Sequence, residues 1–285
     1  EIISQDIKFD AYLPREIASR VETIGVGKAN LNFWAKFTLA VLAGVFISFG
    51  AVLYTLVVHD SKLSFGMTQL IGGLSFCLGL ILVVVAGAEL FTGNNLLIMA
   101  FTSKKITLYK LLENWTVVYL GNFIGALSMV LWIYLAQQWS ANSNLVGAKA
   151  LLIANAKVGL PFLVAFSRGV LCNALVCLAV WLCMGGRTVT DKVLSILFPI
   201  TAFVALGFEH SVANMYFIPM GLLLKNNPLV LEAVTTLTGK PCDFSRLTTQ
   251  GLLVNNLLPV TLGNIVGGGV LVGLIYWFVY LRGKK

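Results

Sequence analysis

The sequence predicts an all-α polytopic membrane protein. It is expected to be a bundle of six transmembrane helices arranged as an inverted three-plus-three repeat. Three observations predict this. Apolar residues make up 58% of the 285 and charged residues only 11%, with a mean hydropathy of +0.88, which is not the surface of a soluble domain. Several apolar runs reach the ~20 residues needed to cross a bilayer. The two halves of the chain also echo each other in the same order.

Residues 1–36 carry charges throughout, with a helical apolar pattern from Ala11 to Gly25 (Tyr12, Leu13, Ile17, Val21, Ile24). They are read as an N-terminal amphipathic segment on the membrane surface and a candidate gate. Glu1 rather than Met opens the sequence, so the natural start is expected upstream, and nothing here resembles a signal peptide. Residues 37–281 form the transmembrane domain. The first span is expected over 37–58, followed by a loop at 59–69. A second apolar run covers 70–101, interrupted by Glu89 and by Thr92, Gly93, Asn94 and Asn95. The third span is read at 115–136 and the fourth at 162–184. The fifth run covers 193–224, with Glu209 and His210 at its middle. The sixth is read at 257–281, and residues 282–285 form a basic tail.

Basic residues give the orientation. The N-terminal segment, the 102–114 and 185–192 loops and the tail hold 13 of the 20 Lys and Arg, against 6 in the alternate loops. By the positive-inside tendency both termini are expected in the cytoplasm. A net charge of +8 is therefore a matter of topology, and no nucleic-acid partner is expected. The five cysteines (77, 172, 177, 183 and 242) show no CxxC spacing, and His59 and His210 stand far apart in sequence. No metal, cofactor or disulfide framework is expected.

The repeat rests on three matches. Ala40-x3-Gly44-Val45 is echoed by Ala165-x3-Gly169-Val170. Gly87-x-Glu89-x4-Asn94 is echoed by Gly207-x-Glu209-x4-Asn214, and Gly121-Asn122-x-Ile124-Gly125 by Gly263-Asn264-x-Val266-Gly267. A three-span repeat inserts its second copy upside down, so the breaks in runs two and five become mates. Broken helices survive in a membrane only where they are buried in protein or line a cavity. Asn122 and Asn264 are read equally well as interhelical bonds or as pore-lining amides, and the glycines beside them as close-packing sites.

His210 is the titratable group at the centre of an apolar path, and such groups usually face a cavity, a partner or a pathway. It is expected to stabilise or protonate an anion. Glu209 could orient the ring, and the other role for the pair is a lock between two helices. Thr92 offers a hydroxyl, and Asn173 and Asn264 offer amides. Lys157 and Arg168 could form a cationic funnel, or else snorkel to the interface. Phe76, Leu80, Leu90, Phe91 and Phe203 are read as apolar constrictions or as core. Catalysis is not expected, since no Gly-x-Ser-x-Gly, His-Glu-x-x-His or nucleotide-binding loop is present.

The stretches VVAGAELFTG (84–93), GVLCNALVCLA (169–179) and GFEHSVANM (207–215) together resemble the signatures of the formate/nitrite transporter family. Ile218-Pro219-Met220-Gly221 and Pro259 to Asn264 bring the chain nearest to the formate branch. The resemblance implies an aquaporin-like protomer in a homopentamer in the lipid of the bacterial inner membrane, with one pore per protomer. It implies passage of formate and similar small monovalent anions, with protons as a candidate second passenger. It places constrictions at Phe76, Leu80, Leu90, Phe91 and Phe203. Polar pathway positions fall at Thr92, Lys157, Asn173, Glu209, His210 and Asn264. A nitrite or hydrosulfide channel of the same family is the alternative, and an aquaporin-type neutral-solute channel stands behind it.

Overall fold

The computed structural model describes residues 11–283. Residues 1–10 of the N-terminal segment, and Lys284 and Lys285 of the basic tail, lie outside the described residues. All regular structure among the described residues is helical. Among the described residues, five helical stretches are long and apolar enough to cross a membrane: Phe33–Val58, Phe65–Gly87, Leu108–Leu135, Phe162–Gly185 and Gly251–Tyr280. Many of their apolar side chains point outward. Phe198, on the shorter helix α9 (Val189–Ala205), is 80% exposed, a surface suited to lipid or to another subunit.

Helix α1 (Pro14–Ala29) starts with Pro14 in its first turn and a reciprocal bond between Leu13 and Glu16. It does not stand alone. Ile17, Ala18 and Val21 are buried against Leu96, Met99 and Trp181, and the Tyr12 amide donates to the Gly185 carbonyl at 3.0 Å. Helix α2 (Phe33–Val58) starts on the Asn32 side chain, which accepts from the Ala35 amide. Helix α3 (Phe65–Ile81) runs into a π-helical turn at Leu82–Gly87. The chain is extended through Ala88 to Leu90 and restarts as α4 (Phe91–Asn94), a 3₁₀ turn at Asn95–Leu97, and α5 (Ile98–Thr102). Helix α6 (Leu108–Leu135) begins at the Thr107 cap.

Two stretches read as loops contain helices. Helix α7 (Leu145–Val158) lies within 137–161, and α11 (Pro228–Thr238) lies within 225–256. Lysines and small residues dilute the hydropathy of α7, and α11 is too short to cross. Tertiary packing supports both, through Leu151 and Ala154 on α7 and Val230 and Val234 on α11, all buried in the main core. Helix α8 (Phe162–Gly185) follows Pro161. The apolar run at 193–224 is not continuous: α9 ends at Ala205, and α10 (Ser211–Leu224) restarts after His210. The last helix begins at Gly251, earlier than its hydropathy suggests. It comprises π-helical Gly251–Leu257, α12 (Leu258–Ile265), π-helical Val266–Leu274 and α13 (Ile275–Tyr280).

Helix α2 packs closely on α6, and α8 on the last helix. A Cβ at Gly125 would overlap the Val41 carbonyl oxygen, and one at Gly267 would overlap that of Val170. Small residues let these backbones touch, which is how helices associate where lipid supplies no hydrophobic drive.

Candidate functional site

The two chain breaks are built alike. Gly87 (φ +92) and Gly207 (φ +69) turn the chain through the left-handed region, which glycine adopts at little cost. Two residues later Glu89 and Glu209 lie in extended backbone. Their amides donate to the carbonyls of Leu39 and Arg168, each at 3.2 Å. Two further freed groups at each break are taken by an asparagine from a neighbouring helix. Asn122 Oδ1 accepts from the Phe91 amide at 2.9 Å, and its Nδ2 donates to the Glu89 carbonyl at 2.9 Å and the Ala40 carbonyl at 2.7 Å. Asn264 Oδ1 accepts from the Ser211 amide at 2.9 Å, and its Nδ2 donates to the carbonyls of Glu209 at 3.0 Å and Gly169 at 2.8 Å. Both amides are fully buried. In a membrane interior these backbone groups have no water to turn to, so each asparagine offsets several kcal/mol of desolvation.

Each break also carries an ion pair whose carboxylate is buried. Lys28 Nζ donates to Glu89 Oε1 at 2.8 Å and to Asn94 Oδ1 at 3.0 Å. Asn94 Nδ2 donates to Glu89 Oε2 and Asn114 Oδ1, and Asn114 Nδ2 donates to the Lys28 carbonyl. The second set repeats this. Lys157 Nζ donates to Glu209 Oε1 at 2.9 Å, Asn214 Nδ2 to Glu209 Oε2 and Asn256 Oδ1, and Asn256 Nδ2 to the Lys157 carbonyl. The sets differ in two bonds: Asn214 Oδ1 has no partner, the Lys157 ammonium lying instead over the Phe217 ring, 5.3 Å from its centre, and Asn256 Nδ2 also reaches Glu209 Oε2 at 3.3 Å.

These bonds fix the register of the internal match. Leu39 corresponds to Arg168 and Ala40 to Gly169, 129 positions apart. The sequence pairing of Ala40 with Ala165 and of Gly44 with Gly169 is one helical turn out. A shift of about four residues keeps small residues on the same face, so composition alone does not reveal it.

Three cavities lie around the breaks. One of about 440 Å³ is bounded by Val21, Gly25 and Lys28 of α1 and by Leu80, Glu89 and Leu90. A second of about 90 Å³ is bounded by Phe76, Lys157, Phe203, Glu209, His210 and Phe217. Between them is a space of about 10 Å³, near that of one water, lined by Ile47, Phe76, Leu80, Leu90, Phe203 and His210. Leu80 and Leu90 thus border the large cavity and the central space, while Phe76 and Phe203 border the central space and the second cavity. The Phe76 and Phe203 rings meet edge to face at 5.7 Å, and Phe203 stacks on His210 at 5.9 Å.

His210 caps α10, its Nδ1 accepting the Ala213 amide at 3.1 Å. Its Nε2 meets Thr92 Oγ1 at 2.9 Å, which joins the second break to the first. Asn173 sits behind Thr92, its Nδ2 donating to the Asn264 carbonyl and Asn95 Oδ1, with the Thr92 carbonyl also within 3.1 Å. Phe91 is elsewhere: its ring lies against Trp115 and Tyr119, at 6.3 and 4.9 Å. Arg168 is half-buried and its carbonyl serves Glu209. Sequence reasoning missed Lys28, Asn114 and Asn256. The signal was present, since Asn114 and Asn256 stand as far apart as Asn122 and Asn264, and Lys28 and Lys157 as far apart as Ala40 and Gly169.

Residues 15–278 match the formate/nitrite transporter family. The chain is 44% identical over 280 residues to formate channel FocA of Escherichia coli (strain K12), covering 97% of each. It is 39% identical over 274 residues to formate channel FocA of Haemophilus influenzae, covering 95% of each. Among solved structures it resembles a pentameric formate channel with formate bound, at 43% identity and a TM-score of 0.80, over 88% of this chain and 98% of that one. With the family signature spanning nearly its whole length, the chain belongs to the formate/nitrite transporter family.

Proposed function

We propose that this protein is a membrane channel for formate and related small monovalent anions. The observation that carries the reading is the His210–Thr92 pair, enclosed between apolar side chains where the two cavities approach each other. A constriction of Leu80 and Leu90 on one side, and of Phe76 and Phe203 on the other, excludes hydrated ions. A small anion that sheds its water there meets hydrogen-bond donors at the pair. Relatives that are formate channels, and a solved relative holding formate, support formate as the substrate.

The finer architecture follows from the same observations. The matched breaks, staples and ion pairs support six membrane crossings in an inverted three-plus-three repeat, with crossings two and five broken. The pentameric relative supports a homopentamer with one path per protomer. The basic excess supports both termini in the cytoplasm, and the bacterial formate channels it resembles support a place in a bacterial inner membrane. The large cavity beside α1 then faces the cytoplasm, and the Lys157 cavity faces outward. Asn173, Asn264, Lys157 and Glu209 hold the path in shape around the pair, and Phe91 backs the first break.

Formate flux into proteoliposomes tests this. Wild-type protein is expected to pass formate well above protein-free vesicles and to pass glycerol no faster than they do, and His210→Phe to pass much less formate. Formate flux equal to that of empty vesicles overturns the reading. Flux of nitrite and hydrosulfide in the same vesicles ranks the substrates.

A further inference from the structure

Both ring nitrogens of His210 have assigned neighbours, and together they fix where its proton sits. Nδ1 lies 3.1 Å from the Ala213 amide nitrogen. A backbone N–H can only donate, so Nδ1 presents its lone pair and carries no hydrogen. In a neutral imidazole the hydrogen is then on Nε2. Nε2 faces Thr92 Oγ1 at 2.9 Å, so Nε2–H donates and the hydroxyl oxygen accepts. Thr92 Oγ1 makes no second hydrogen bond among the described residues, which leaves its own proton to give.

We propose that the Ala213 amide holds His210 as its neutral Nε2–H tautomer, so that the site offers a passing carboxylate the Thr92 hydroxyl proton rather than an imidazolium charge. This rests on the anion path proposed above and names the group that meets the anion.

The surroundings agree. A proton on Nδ1 would set donor against donor at Ala213 and remove the cap of α10. The titratable groups around the ring offer no spare negative charge to compensate. Glu209, its chain neighbour, is paired with Lys157 of α7. Helix α2 brings Tyr54 to the same cavity, and α8 brings buried Cys172 and Cys177, the Cys177 thiol donating to the Thr92 carbonyl. Helices α3 and α9 present Phe76, Leu80, Ile200 and Phe203. Polarised by Nε2–H, the Thr92 hydroxyl is a stronger donor than an isolated one.

His59 is an internal contrast. Its Nδ1 lies 2.6 Å from the Leu56 carbonyl, which can only accept, and its Nε2 lies 2.7 Å from Asn142 Nδ2. His59 therefore carries a hydrogen on Nδ1, the reverse of His210, and its Nε2 also stands 3.4 Å from Asp60 Oδ1. Solid-state NMR of the full chain in lipid bilayers, with ¹⁵N-labelled histidine, reads both rings directly, and a His59→Gln variant assigns them. At about pH 7 and about pH 5, His210 is expected to show a bare Nδ1 and a protonated Nε2. An imidazolium at His210, or a bare Nε2, overturns the proposal. Formate flux supplies the second arm: Thr92→Val is expected to lose about tenfold or more, and Thr92→Ser, which keeps the hydroxyl, to recover most of that loss. Undiminished flux in Thr92→Val overturns the hydroxyl's role. A wild type that passes no formate at all overturns the channel reading, while the tautomer is still read from the spectrum.

Discussion

Thr92 Oγ1 and His210 Nε2 stand 2.9 Å apart across 118 residues of chain. Their meeting depends on two interruptions of helix, each held open by one buried asparagine. The asparagines are therefore as important to the site as the histidine, although neither touches it.

Replacing Asn264 by alanine strands the Ser211 amide and the Glu209 carbonyl without partners. Two buried unsatisfied backbone groups cost about 1–3 kcal/mol each. Asn264→Ala is expected to lower thermal stability in detergent substantially and to reduce formate flux. Asn122→Ala should do the same at the first break. An unchanged melting temperature in both variants would remove the stapling role.

Each ion pair is buried on its acid side, with Glu89 and Glu209 side chains 6% and 5% exposed. Removing one partner of such a pair typically costs about 3–5 kcal/mol, whereas removing both costs much less. Lys157→Met is expected to be strongly destabilised, and Lys157→Met with Glu209→Gln to recover part of the loss. The measurement is a double-mutant cycle on thermal unfolding, and simple additivity would contradict a coupled pair.

Gly207 adopts φ +69 with open space where a side chain would go. The obstacle to alanine is therefore backbone strain alone, about 1–2 kcal/mol. Gly207→Ala is expected to lose that much stability and no more, and Gly87→Ala likewise at φ +92. By contrast Gly267→Ala drives a methyl into the Val170 carbonyl and should prevent stable folding. Equal melting temperatures for Gly207→Ala and Gly267→Ala would contradict this ranking.

Helix α1 walls the large cavity with Val21, Gly25 and Lys28. It is tied down by Lys28 to Glu89, by Lys105 to Glu22, and by the Tyr12 amide to the Gly185 carbonyl. A channel lacking residues 1–25 keeps Lys28 but loses most of this wall. Its formate flux is expected to rise and to lose directional or pH dependence. Flux identical to the full chain at every pH would show that α1 is only a support.

At the corner before α9, Asp191 accepts from the amides of Arg187 and Thr188, each at 2.8 Å, while its own amide donates to Thr188 Oγ1. The Thr188 amide, then that of Arg187, hold its carboxyl below the usual carboxylate value. A depressed folded pKa gives stability that is present above the unfolded value, about 3.9, and is lost as pH falls through the folded one. Acid melting of wild type below about pH 4 should therefore be steeper than that of Asp191→Asn. Coincident acid limbs would remove Asp191 from this role.

Much of the fold was legible because hydropathy and basic-residue bias are local sums. The apolar runs, the polar breaks at Glu89 and Glu209, and the pairing of the breaks could all be read along the chain. Glu209 already looked structural, since Glu89 repeats it where no histidine follows, and the matched bonds to Lys157 and Lys28 agree. Lys28 was hidden in a charged segment that resembles a solvated face, and its partner lies 61 residues away. Helix α7 was hidden because lysines and small residues dilute its hydropathy, and α11 because it is apolar but too short to cross.

By itself the sequence determined a membrane-embedded helical bundle with two polar interruptions, because the cost of placing charge and bare backbone in lipid leaves few other outcomes. It also singled out His210, since the matching position of the first break is Leu90. Only the tertiary structure decided which residues close each break, that α8 matches α2 one turn away from the sequence alignment, and that Thr92 is what His210 faces. Those are contacts between side chains tens of residues apart. A hydrogen bond needs a partner within about 3 Å in a given direction, and spacing along one chain does not carry that direction.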